Sequence, residues 1–173
     1  MNIRLRPIRG DELEILHAHA QDPDYSANTW TGFHSVAHLA RLHEENGFLG
    51  EDVSRLMVDV DGEAAGLVSL VRKRYGIRGD CYEIGCALLP PFRGRGIGWR
   101  AQALLTAYVF EHFPVQRVEA GTQPENVAER KALLKAGFQQ EGVLRSVEFR
   151  AGRWRDGVLF SRLRDDPYPE ITD

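Results

Sequence analysis

Leu88-Leu89-Pro90-Pro91-Phe92-Arg93-Gly94-Arg95-Gly96-Ile97-Gly98-Trp99-Arg100 is the stretch on which the reading of this chain turns. Gly94, Gly96 and Gly98 stand between an apolar run and a segment whose Ile97, Ala101, Leu104, Leu105 and Tyr108 keep helical spacing. Pro90-Pro91 stops any strand ladder, because neither residue donates an amide hydrogen. The pattern predicts a strand over residues 82–89, a glycine turn, and a helix over residues 97–112. Glycine lets backbone approach a ligand closely. A helix N-terminus offers unsatisfied N–H groups and partial positive charge, a setting for phosphate. Arg93 and Arg95 add formal charge, so the turn is expected to hold a pyrophosphate.

Upstream, residues 3–8 alternate apolar and charged, as a half-buried strand does. Asp11 is placed to cap a helix carrying Leu13 and Leu16, and Ser35 a second one ending before Gly47. Asp61-Gly62 signals a hairpin between strands over residues 55–60 and 64–71. Downstream come a strand over 115–121, a helix over 125–136 stopped by Gly137, and two strands over 143–163 joined through Gly152. This order gives an α/β (α+β) chain with about four helices and a largely antiparallel sheet. One parallel pair is expected at the strand–helix–strand crossover. Residues 1–164 read as a single domain and residues 165–173, with Pro167 and Pro169, as a loose tail.

Composition narrows the classes. With 43% hydrophobic and 27% charged residues in 173, the chain is expected to fold as one globular domain. A net charge of -3 argues against a nucleic-acid partner. The basic runs Arg72-Lys73-Arg74 and Arg150, Arg153, Arg155 read as solvated strand edges. No apolar run reaches the roughly 18 residues of a membrane span, so no membrane partner is expected. Cys81 and Cys86 lie on one strand, about 16 Å apart and beyond disulfide reach, which fits free thiols in a reducing cytoplasm. His34 and His38 have helical i, i+4 spacing but lack the glutamate of a zinc-protease motif, and no metal is expected.

Two common phosphate motifs fail at the glycine turn. Trp99 stands where a dinucleotide-binding loop has its last glycine, and no Gly-Lys-Ser/Thr follows. The turn instead resembles the coenzyme A signature of the GNAT acetyltransferases, Q/R-x-x-G-x-G/A, matched by Arg93, Gly96 and Gly98. Asn126, Leu134-Lys135-Ala136-Gly137-Phe138 and Glu141-Gly142 resemble that family's following segments, and residues 149–161 the terminal hairpin of its RimJ/RimL type, which acetylates ribosomal-protein N-termini. The resemblance covers residues 82–163. It implies a sheet with a splayed strand pair, acetyl-CoA as cosubstrate, and cofactor contacts from Leu88, Leu89, Arg93, Gly94, Arg95, Gly96, Ile97, Gly98 and Asn126.

It also implies direct attack of a primary amine, on a protein N-terminus or a small molecule, on the thioester within a ternary complex. The alternative is a non-catalytic acyl-CoA-binding sensor or scaffold. An ammonium must lose a proton before it attacks, and Glu83, on the strand leading to the thioester, is the base candidate; an exposed carboxylate paired with an arginine is the other reading. Glu148 and Glu119 follow it. Tyr25, Trp30 and Phe33, in the loop between the first helices, are candidates for lining the acceptor site or for ordinary packing. The general acid is missing: Leu133 replaces the tyrosine many members carry seven residues after the asparagine, and Glu129 the serine of the RimJ/RimL type. Trp99 or Trp154, if exposed, would mark a homodimer surface.

Overall fold

The computed structural model describes residues 1–23 and 32–169. The elements run β1 (Ile3–Arg6), α1 (Leu13–Gln21), α2 (Val36–Asn46), β2 (Val53–Val60), β3 (Glu63–Tyr75), β4 (Gly79–Leu88), α3 (Ile97–His112), β5 (Arg117–Thr122), α4 (Val127–Lys135), β6 (Gln139–Arg150) and β7 (Arg153–Leu163). They build a seven-stranded sheet in the order β1-β2-β3-β4-β5-β7-β6. Every pairing is antiparallel except that of β4 with β5.

Local chemistry accounts for the boundaries. Asp61 and Gly62 both adopt positive φ, as a two-residue hairpin turn requires. Ser35 caps α2 by accepting from His38 N–H, and Gly47 ends it in the left-handed conformation. Asp11 does not cap α1; it lies in a short 3-10 turn, Gly10–Glu12, ahead of the helix. The last hairpin starts four residues before the expected 143, because β6 is a mostly exposed edge strand without an apolar rhythm. Cys81 and Cys86 are free thiols.

One sheet face is covered by α3 and α4, and the main core there includes Val58, Val68, Ile84, Leu105, Val118 and Phe160. The opposite face is covered by α1 and α2 over a smaller core of Ile8, Leu16, Phe48, Met57 and Leu67. β4 and β5 pair only at Tyr82↔Val118 and Glu83↔Glu119. Beyond that register the two strands part, which is the expected splay. The chain after β7, expected to be loose, is held as far as Tyr168: Gln116 donates to Asp165, and buried Arg162 donates to the Pro167 carbonyl at 3.1 Å while lying 4.1 Å from the Tyr168 ring centroid. Among the described residues no helix is long and apolar enough to cross a membrane.

Asp59, 1% exposed on β2, accepts from Arg6 at 2.8 Å and Arg4 at 3.1 Å, and Arg6 also pairs with Glu12 ahead of α1. These hydrogen bonds, led by that of Arg6, outweigh burial and bring the Asp59 carboxyl down to about 2. Its contribution to stability is therefore complete above the ordinary carboxyl value and disappears as pH falls from about 4 to about 2. Asp59→Ala should cost about 3 kcal/mol at pH 7 by urea denaturation, and the gap between variant and wild type should close across that acid window.

Candidate functional site

The glycine turn and the strand end before it form one wall of a cavity of 470 Å³ between β4, α3 and α4. Leu88, Leu89, Arg93, Gly94, Gly96, Ile97, Gly98 and Asn126, eight of the nine residues expected to contact the cofactor, line it together. Arg95 does not; its guanidinium lies over the Phe92 ring at 5.7 Å. Gly94 and Gly96 have φ of 70° and 74°, and a Cβ at Gly96 would stand 2.9 Å from Arg100 Nη1. Gly96 is the N-cap of α3, where no side chain caps the helix and no acidic residue occupies the first turn. The first amides of α3 are thus left to an external acceptor. Ile97, whose side chain is buried in the core, offers that ligand only its backbone.

At the strand end, Leu89 N–H donates to Ala65 on β3 at 2.9 Å. By strand alternation the Leu88 N–H faces the other edge, where β5 has already turned away. The Leu88 carbonyl accepts from Arg93 Nε at 2.8 Å. Asn126 caps α4, its Oδ1 accepting from Glu129 N–H at 3.2 Å. Lys131 and Lys135 also line the cavity, one helical turn apart on α4. Trp99 is buried rather than exposed, its indole flanked by Arg100 at 4.8 Å and Lys135 at 4.7 Å. This concentration of cations and open helix amides fits a ligand with several phosphates.

Residues 2–139 match the family model described as an acetyltransferase (GNAT) domain. The chain belongs to the GNAT family. As a member it is an acetyl-CoA-dependent N-acetyltransferase. It is similar to the probable N-acetyltransferase YjcK of Bacillus subtilis (strain 168), 33% identical over 106 residues, a match spanning 61% of this chain and 58% of that relative's length. It is 26% identical over 162 residues to the spermidine N(1)-acetyltransferase of Escherichia coli (strain K12), covering 91% of this chain and 83% of the relative. Among solved structures, the spermidine N-acetyltransferase from Vibrio cholerae in complex with CoA and spermine shares the fold, with a TM-score of 0.78 at 20% identity over 95% of this chain and 96% of that one.

In this acetyltransferase Glu83, Gly85 and Ala87 are paired with Val71, Ser69 and Leu67, so they face the α1–α2 side of the sheet. Glu83 Oε2 accepts from Lys73 Nζ at 2.8 Å, and the same ammonium reaches Glu119 at 3.0 Å. Buried Glu119 is further held by Arg117 at 2.6 Å and by the Tyr75 hydroxyl at 3.1 Å. Burial would raise the Glu119 carboxyl, but these donors outweigh it and lower it. Glu148 accepts from Gln123 and pairs with Arg150. Phe33 is 75% exposed, and Tyr25 and Trp30 lie outside the described residues.

Glu129 and Cys86, neither of them among the expected contacts, line the cavity as well. Burial raises the Glu129 carboxyl to about 7, with the Gln102 side chain pulling modestly the other way. Burial also pushes the Cys86 thiol up, so it stays neutral. In the sequence, Glu129 reads as a first-turn helix carboxylate that suits the dipole. Its spacing from Asn126 was the available signal, but its burial depends on how α4 packs on α3. Valine at position 96 would adopt positive φ only with strain. Gly96→Val and Arg93→Glu should each weaken coenzyme A binding at least ten-fold by calorimetry; unchanged affinity in both would remove the turn from the binding site.

Proposed function

We propose that this enzyme acetylates a primary amine, of a small molecule or a protein N-terminus, by direct attack within a ternary complex, with residues 1–164 as the acetyltransferase domain. The observation that carries the reading is that two cavities adjoin. The one below the α3 N-terminus shares His19 and Leu67 with a second on the α1–α2 face, so a cofactor and an acceptor can meet from opposite sides of the sheet. Acetyl-CoA supplies the thioester carbonyl and releases a thiolate. The α3 amides, Arg93, Lys131 and Lys135 bind its phosphates, and the Leu88 N–H is available to the thioester end. Glu83, hydrogen-bonded to Lys73, accepts the ammonium proton directly or through water.

In place of the family's tyrosine or serine, the general acid is Glu129, whose carboxyl holds a proton in the cavity near neutral pH. The small-molecule reading is supported by the E. coli relative that acts on spermidine; the protein reading is supported by the likeness of residues 149–161 to the RimJ/RimL hairpin. Val147, Phe149 and Trp154 are exposed together on the β6–β7 hairpin, a surface suited to a homodimer.

Thiol release across a panel of amines and N-terminal peptides tests the reaction. Saturable acetyl-CoA binding without release from any acceptor would return the chain to the scaffold reading. Glu83→Gln should lower kcat at least ten-fold. The wild-type kcat should fall as pH rises through about 7, and Glu129→Gln should lower kcat about ten-fold at pH 6.5 and abolish that fall. The folded carboxyl is raised, so its ionisation weakens the fold as pH climbs from the unfolded value to about 7. Glu129→Gln should therefore raise the thermal midpoint at pH 8 and leave it unmoved at pH 4.

A further inference from the structure

The second cavity, of 480 Å³, is bounded by α1, α2 and β2, and its polar lining consists of His19, His34, Ser35, His38 and Arg55. No carboxylate among the described residues lines it. Arg55 enters from β2, its guanidinium 5.9 Å from the Phe48 ring centroid, and no carboxylate among the described residues pairs with it. Burial lowers its basicity, with no acid contributing in the other direction.

The carboxylates at and around the β4–β5 fork are already committed. Glu83 and Glu119 share Lys73, and Glu119 also holds Arg117. On the flank, Glu125 pairs with Arg155 at 3.3 Å and Glu148 with Arg150 at 3.5 Å. A polycation placed here would bring further ammonium groups toward Arg55 and find these acids occupied. An anion meets the reverse situation, a half-buried guanidinium whose planar fork suits two oxygens of one carboxylate or phosphate.

We propose that the acceptor of this acetyltransferase is a primary amine whose far end carries an anionic group, a carboxylate or a phosphate, received by Arg55 in the second cavity. The inference rests on the reading that this cavity takes the acceptor, and it separates this enzyme from the spermidine-acting relative by charge rather than by fold. The reacting amine sits toward His19 and Leu67, where the cavities meet, and the anion lies on the β2 side.

Four amines of similar length, 5-aminopentanoate, 3-aminopropyl phosphate, pentylamine and 1,5-diaminopentane, and the longer spermidine decide it, assayed by thiol release from acetyl-CoA. The expected kcat/KM for one of the two anionic amines is at least ten-fold above that of pentylamine, with both polyamines below pentylamine; the better anion identifies the group. In Arg55→Gln the ratio of the anionic amine to pentylamine collapses toward one, in Arg55→Lys part of it survives, and in Arg55→Glu the order shifts toward the diamine. A wild type that prefers the diamine or spermidine, or a ratio unmoved in Arg55→Gln, overturns the proposal. If no amine turns over, the proposed reaction fails on its own. Calorimetry on the coenzyme A complex then still decides this inference: 5-aminopentanoate or 3-aminopropyl phosphate binding that is lost in Arg55→Gln upholds it, and no preference over 1,5-diaminopentane ends it.

Discussion

β4 and β5 lie side by side for two residue pairs and then separate, and the second of those pairs sets two glutamates, Glu83 and Glu119, directly opposite each other. Like charges in that position repel. Lys73, reaching across from β3, bonds both carboxylates, while Arg117 takes the remaining oxygen of Glu119. This clamp sits at the fork, so the sheet stays continuous up to it and opens immediately after it. The cavity, the exposed edge at Leu88 and the position of the glycine turn all follow from where the fork lies. Glu83 is thus a structural partner of Lys73 at the point where the sheet opens.

The other end of the cavity depends on an omission. Helices ordinarily satisfy their first amides with a side-chain cap or an early acidic residue, and α3 has neither. Gly94 and Gly96 turn the chain with positive φ and leave no side chain over those amides. Cations from α4 and the turn gather around the opening. Local stability is given up there, at the mouth of the 470 Å³ cavity. Glu129 is a second local cost, a carboxyl kept in a place that disfavours its charge.

Much of this arrangement is legible along the chain because it rests on local rules. The α3 span follows from its apolar spacing and the preceding glycines, the β2–β3 hairpin from Asp61-Gly62, and the α4 start from Asn126. What escapes is decided by packing between distant elements. The exposure of Trp99, set among glycines and arginines, is open in the sequence, and in the fold it is enclosed by Arg100 from its own helix and Lys135 from α4. Arg95 has the charge for the site but turns toward Phe92. The ion network around Glu119 joins β3, β5 and β6 through residues as far apart as Lys73 and Glu141, and no spacing rule links them. That no carboxylate among the described residues faces Arg55 is likewise invisible until α1 and α2 close over β2.

The setting of Trp99 gives the molecule a built-in optical reporter. Its ring lines the 470 Å³ cavity, and its buried indole N–H has no hydrogen-bond partner among the described residues. Trp154, by contrast, is 63% exposed on the far hairpin. A highly charged molecule arriving beside Arg100 and Lys135 changes the electric field across the first indole and leaves the second nearly untouched. Emission from the buried ring thus registers occupancy without any attached dye.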